Sequence, residues 1–131
     1  MIGKLDDTME FQAQALKLRS YRQQLLASNI ANSDTPNFKA VDFDFAAALR
    51  NASSGAQSLA TTAPGHVSAA GAAPAGAKVQ FRGASQPSID GNTVDMDVER
   101  AQFVDNSVRY EAAVRFLNAQ IRDLNSALKG E

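Results

Sequence analysis

Leu26-Ala27-Ser28-Asn29-Ile30-Ala31-Asn32-Ser33-Asp34-Thr35-Pro36-Asn37-Phe38-Lys39-Ala40 is the stretch at which a long helical segment of this chain has to stop. Upstream of it, residues 4–32 contain neither glycine nor proline and read as one continuous helix. Asn29 and Asn32 carry side chains that bond to nearby backbone groups. Pro36 cannot continue a helical ladder, and Thr35, as the residue before proline, is biased to extended geometry. The block is therefore a corner. A helix lies on one side, and on the other an extended segment carries Phe38, Phe43 and Phe45.

The helix before the corner bears two apolar stripes. At 100° per residue, Ile2, Leu5, Met9, Ala13, Leu16 and Ile30 share one side, while Phe11, Ala15, Leu18, Tyr21 and Leu25 lie roughly opposite. Residues from about Asp95 to Leu128 repeat the pattern. Tyr110, Val114, Leu117, Ile121, Leu124 and Leu128 alternate spacings of four and three, and Met96 and Phe103 extend this heptad seam upstream. Val108, Ala112, Phe116 and Ala119 form a second stripe on the far side. Each helix would be about 45–50 Å long, too long to wrap a small core of its own. The expected fold is mostly α: two long terminal helices packed as an antiparallel coiled coil, with an irregular middle. Two stripes per helix call for partners beyond this chain, and Leu5, Met9, Leu16, Phe103, Tyr110, Val114, Leu117, Ile121, Leu124 and Leu128 are the expected assembly seam.

The middle differs in composition. Asn51 to Ala77 holds no charged residue and is dominated by Ala, Gly, Ser, Thr and Pro. Lys78-Val79-Gln80-Phe81-Arg82 alternates polar and apolar, the pattern of one short strand. The expected division is residues 1–35 for the N-terminal helix and its stop and 36–50 for an extended segment. Residues 51–91 form a flexible linker with a short strand at 78–82, and 92–131 the C-terminal helix.

The corner block is similar to the signature of the bacterial flagellar basal-body rod proteins, in which Asn-(Ile/Leu)-Ala-Asn is followed by Thr-Pro-Gly-Tyr. Asn29, Ile30, Ala31, Asn32, Thr35, Pro36 and Phe38 carry the match. Asn37-Phe38 replaces Gly-Tyr, a mild departure, because Asn tolerates left-handed backbone and Phe keeps the ring. Asn92-Thr93-Val94-Asp95-Met96-Asp97-Val98-Glu99, with Asn106 and Tyr110, resembles the C-terminal half of the same family. Leu16, Leu18, Arg19, Arg22 and Gln23, the run Val41-Asp42-Phe43-Asp44-Phe45 and the shortness of the chain favour its proximal-rod branch; other short rod proteins share the motifs.

The resemblance implies a structural role: polymerisation into the rod that transmits motor torque. It implies synthesis in the cytoplasm, export without a cleaved signal peptide by the flagellar type III apparatus, and a place in the periplasmic rod of the basal body. The implied partners are further copies of the chain, other rod proteins, the membrane ring protein, the ring–rod adaptor and the export gate. Phe45 and Leu49 have the Phe-x-x-x-hydrophobic form that such a gate recognises; read from spacing alone, they are a short amphipathic turn against a helix. The alternative to the resemblance is a cytoplasmic coiled-coil adaptor or chaperone unrelated to flagella, which two striped helices also suit.

Composition narrows the chemistry. The 131 residues carry a formal net charge of −1 and no run of like charges, so nothing points to nucleic acid. No cysteine is present, and the one histidine, His66, falls in the linker, so no metal or acid–base pair can be assembled from these types. No phosphate-binding glycine loop or nucleophile–base set is found, and no cofactor, small-molecule substrate or lipid insertion is expected. Asp42, Asp44, Asp95 and Asp97 are read as capping and helix-dipole groups, and the protein is expected not to be an enzyme.

Overall fold

The computed structural model describes residues 2–54, 73–74 and 76–130. The linker residues between 54 and 73, His66 among them, lie outside the described residues. Helix α1 spans Ile2–Ala31, strand β1 Val41–Asp42, helix α2 Phe45–Ser53, strand β2 Gln80–Phe81 and helix α3 Met96–Lys129. The fold is mostly α, with three helices where the sequence reading has two.

The third helix occupies the later part of the segment predicted to be extended over 36–50. Extended backbone ends at Asp44, whose φ of −73° and ψ of 106° place it at the N-cap, with its carboxylate accepting from the Ala47 N–H at 3.1 Å. The following nine residues include no Gly or Pro, and their apolar positions Phe45, Ala48 and Leu49 share one face. At the start of the chain, helix begins at Ile2, so Asp6 and Asp7 fall beyond the first turn and do not complement its dipole.

Helix α3 has clear ends. The Asp95 carboxylate accepts from the N–H groups of Asp97 and Val98 at 3.1 and 3.3 Å, and Gly130, at φ 71°, closes the far end in the left-handed conformation. Side-chain bonds from Asn29 to Glu99, Arg22 to Gln102 and Gln23 to Ser107 show that α1 and α3 run antiparallel.

The apolar core is small and lies between α1, α2 and β1. Leu18, Phe43 and Ala48 are buried, with Tyr21, Leu25, Phe45, Leu49 and Ala77 packed around them. Tyr21 and Phe43 stack with centroids 5.8 Å apart. Strands β1 and β2 pair antiparallel, Val41 opposite Phe81 and Asp42 opposite Gln80. Gly76, at φ 89°, lies so close to α2 that a Cβ there would sit 2.5 Å from the Ala48 carbonyl oxygen.

Candidate functional site

Helix α1 ends through a run of short bonds. Asn32 N–H donates to the Ser28 and Asn29 carbonyls, Asn32 Nδ2 to the Ser28 carbonyl at 2.8 Å, and Thr35 Oγ1 to Asn32 Oδ1 at 3.1 Å. Asn37 then takes φ 60°, the left-handed conformation that Asn accommodates better than most residues. The carbonyls of the turn that follows the helix are held by a side chain from far along the sequence, and three of them share one amide. Asn92 Nδ2 donates to those of Asn32, Ser33 and Thr35 at 2.9, 2.9 and 2.8 Å. The segment after the corner is held the same way: Asn37 N–H bonds the Asp90 carbonyl, Thr93 N–H the Phe38 carbonyl, and Ala40 N–H the Thr93 hydroxyl at 2.8 Å.

Asn29, fully buried, faces the other side of the turn. Its Oδ1 accepts from the Val41 N–H at 3.1 Å and its Nδ2 donates to the Val41 carbonyl at 2.8 Å. One side-chain amide thus occupies the edge of β1 as a neighbouring strand would. Nδ2 also reaches Glu99 Oε2 at 3.2 Å.

Behind Asn29 lies a network of charges. Asp42 accepts from Arg22 Nε and Nη2, each at 3.0 Å, and from its neighbour Phe43 N–H at 2.8 Å. Arg82 bridges Asp42 to Glu99, which is fully buried. Arg22 extends the network to Gln102 Oε1 at 3.0 Å. Burial would raise the Asp42 carboxyl, but hydrogen bonds from Arg22, Phe43 N–H and Arg82, with the Arg22 charge, outweigh it and hold the group below its ordinary value. Asp42 is therefore not the capping group that the sequence suggests. Helix begins three residues later, at Phe45, and the basic partners come from α1 and from the residue after β2. Arg19, 4.1 Å over the Phe45 ring, has its guanidinium pushed down by burial and by the nearby charges of Arg109 and Arg22.

The remaining sequence-predicted residues are distributed as follows. Ile30, Asn32 and Phe38 are half-buried; Ala31, Thr35 and Pro36 are exposed. Phe45 and Leu49 pack against the Leu18–Phe43–Ala48 core. Along the seam, Met9, Leu16, Phe103, Val114, Leu117 and Leu124 are half-buried, Leu5, Tyr110 and Ile121 are more open, and Leu128 is 77% exposed. The buried positions of α3 are polar ones, Glu99 and Asn106. On its opposite face Val104, Val108 and Phe116 are 60, 62 and 52% exposed. Among the described residues, no group of three His, Asp or Glu side chains is arranged to hold a metal ion.

Asp42 and Arg82 as a charge pair escape sequence reasoning, because forty residues and the linker separate them. Asn92, Glu99 and Asn106 enter it only through the resemblance. Their seven-residue spacing, matching that of the apolar seam, is the signal that could have marked them as buried.

The family model described as Flagella basal body rod protein matches residues 9–39, which include the corner. The chain is 43% identical to the flagellar basal body rod protein FlgB of Escherichia coli K12, over 98% of each chain. It is 46% identical to that of Proteus mirabilis HI4320, again over 98% of each. With that of Cereibacter sphaeroides it shares 46% identity over 95% of this chain and 96% of the relative. With both halves of the signature docked on one another and relatives matched from end to end, the chain belongs to the flagellar basal body rod protein family, in its FlgB group.

Proposed function

We infer that this protein is a structural subunit of the proximal rod of the flagellar basal body. End-to-end similarity to FlgB proteins carries the reading. The helix pair with apolar side chains left open on both members supports it. Phe11 on α1 and Val104, Val108 and Phe116 on α3 are too exposed to serve this chain's own core. In the rod, the seam through Leu5, Met9, Leu16, Phe103, Tyr110, Val114, Leu117, Ile121, Leu124 and Leu128 packs in coiled-coil fashion, within the subunit and against neighbours. Head-to-tail contacts of this kind propagate a helical array. Other rod proteins, the membrane ring protein and the ring–rod adaptor complete its surroundings.

The corner residues Asn29, Ile30, Ala31, Asn32, Thr35, Pro36 and Phe38 act through shape. They turn the chain out of the helix and back onto residues 90–93. Phe45 and Leu49 are the recognition element for the type III export gate. Since both pack on the core of the folded chain, the gate reads them before folding. The subunit travels from the cytoplasm to the periplasmic rod in that unfolded form and has no catalytic role. Deleting the gene and imaging basal bodies by electron microscopy tests the assignment. Loss of rods and of swimming is expected; intact rods with normal swimming would refute it and leave a cytoplasmic adaptor.

A further inference from the structure

Among the described residues, three of the four buried polar ones, Asn92, Glu99 and Asn106, stand seven residues apart along α3 and the turn that precedes it. All three bond to α1 or to its end, and each makes a different demand. Asn92 Nδ2 donates to three backbone carbonyls at the end of α1. Glu99 accepts from Asn29 Nδ2 and from Arg82. Asn106 Nδ2 donates to the Arg19 carbonyl at 2.9 Å and to Gln23 Oε1 at 2.7 Å. We propose that this polar ladder sets the register of α3 on α1, with Glu99 as the residue that forbids the alternatives.

The need for such a device follows from the rest of α3. Met96, Phe103, Tyr110, Leu117 and Leu124 also repeat every seven residues, so an apolar seam alone accepts a slip of one heptad, about 10 Å along the helix, with little change in what is buried. The ladder does not accept it. A slip in one direction carries the Glu99 carboxylate away from its donors toward the end of α1, where the backbone carbonyls that Asn92 serves can only accept. A slip in the other carries it to the place of Asn106, against the Arg19 carbonyl. Either way a buried carboxylate loses its Asn29 and Arg82 donors and meets an acceptor instead, and Arg82 is left with Asp42 alone. Asn106 Oδ1 is buried without a hydrogen-bond partner, so an amide at this position is not the most stable filling of the site. A role in specifying position accounts for it. The ladder operates whatever the chain assembles into.

Register can be read directly because the chain has no cysteine of its own. Spin labels on Ala27→Cys and Arg122→Cys, both exposed, report a distance that lies largely along the helix axes. The parent should give one distance population. Glu99→Gln keeps the shape but can donate to carbonyls, and should add a second population displaced by about 10 Å. Combining it with Asn106→Leu should enlarge that population, whereas Asn106→Leu alone, with Glu99 in place, should stay in the parent register. A single parent-like distance in both Glu99 variants would overturn the proposal. So would loss of helical signal in both, which would make Glu99 a requirement for folding and not for register.

Discussion

The two ends of the α1–α3 pair are built from the same helices and in opposite ways. At the corner end, Asn29, Asn92, Glu99 and Asn106 are buried, and nearly every hydrogen-bonding group there has a partner within the chain. Toward the other end, α1 is exposed over residues 3–8, and α3 shows open apolar side chains at Val108, Phe116 and Leu128. One end satisfies itself; the other leaves apolar surface uncovered. A polar network specifies one arrangement, because each donor has few acceptors in reach, while an apolar stripe accepts many partners.

The sharpest way to break the self-sufficient end is Asp42→Ala. It takes from Arg22 its only carboxylate partner among the described residues and from Arg82 one of two, and should cost about 3 kcal/mol of subunit stability, read from the urea midpoint. Asn29→Ala removes both partners of Val41 and one of Glu99 and should cost about 2 kcal/mol in the same assay. Asp95→Ala, which leaves the first N–H groups of α3 uncapped, should cost about 1 kcal/mol.

Acid probes the same network. The folded Asp42 carboxyl lies below its ordinary value of 3.8, so its contribution is complete above that pH and is lost as pH falls below it through the folded value. Unfolding midpoints between pH 5 and 2 should fall less steeply in Asp42→Asn than in the parent; equal slopes would remove Asp42 from the account.

The smallest effect on stability belongs to the open end. Val108→Ser with Leu128→Ser should change the subunit's midpoint by less than about 0.5 kcal/mol per site, yet reduce swimming on soft agar. A large loss of stability together with normal swimming would reverse the contrast between the two ends.

Much of the architecture was legible before the structure. Runs free of Gly and Pro marked α1 and α3, the Asn-Pro corner marked the end of α1, and alternation over 78–82 enclosed the observed β2. Helix α2 was missed because its Ala-rich sequence follows phenylalanines that suggest an extended chain, and only Asp44 signals the start. The charged site was hidden more thoroughly. Glu99 lies in the first turn of a helix, where an acid is ordinarily a solvated dipole partner.

Local sequence thus determined where helix forms and where it must stop, since propensity, capping and proline act over a few residues. Only the tertiary structure decided which polar side chains go inside. That choice depends on donors brought from far along the chain: Arg82 to Asp42 and Glu99, Asn29 to Val41, and Asn92 to the end of α1. A buried charge or amide is tolerable only where such partners converge, and convergence is a property of the fold.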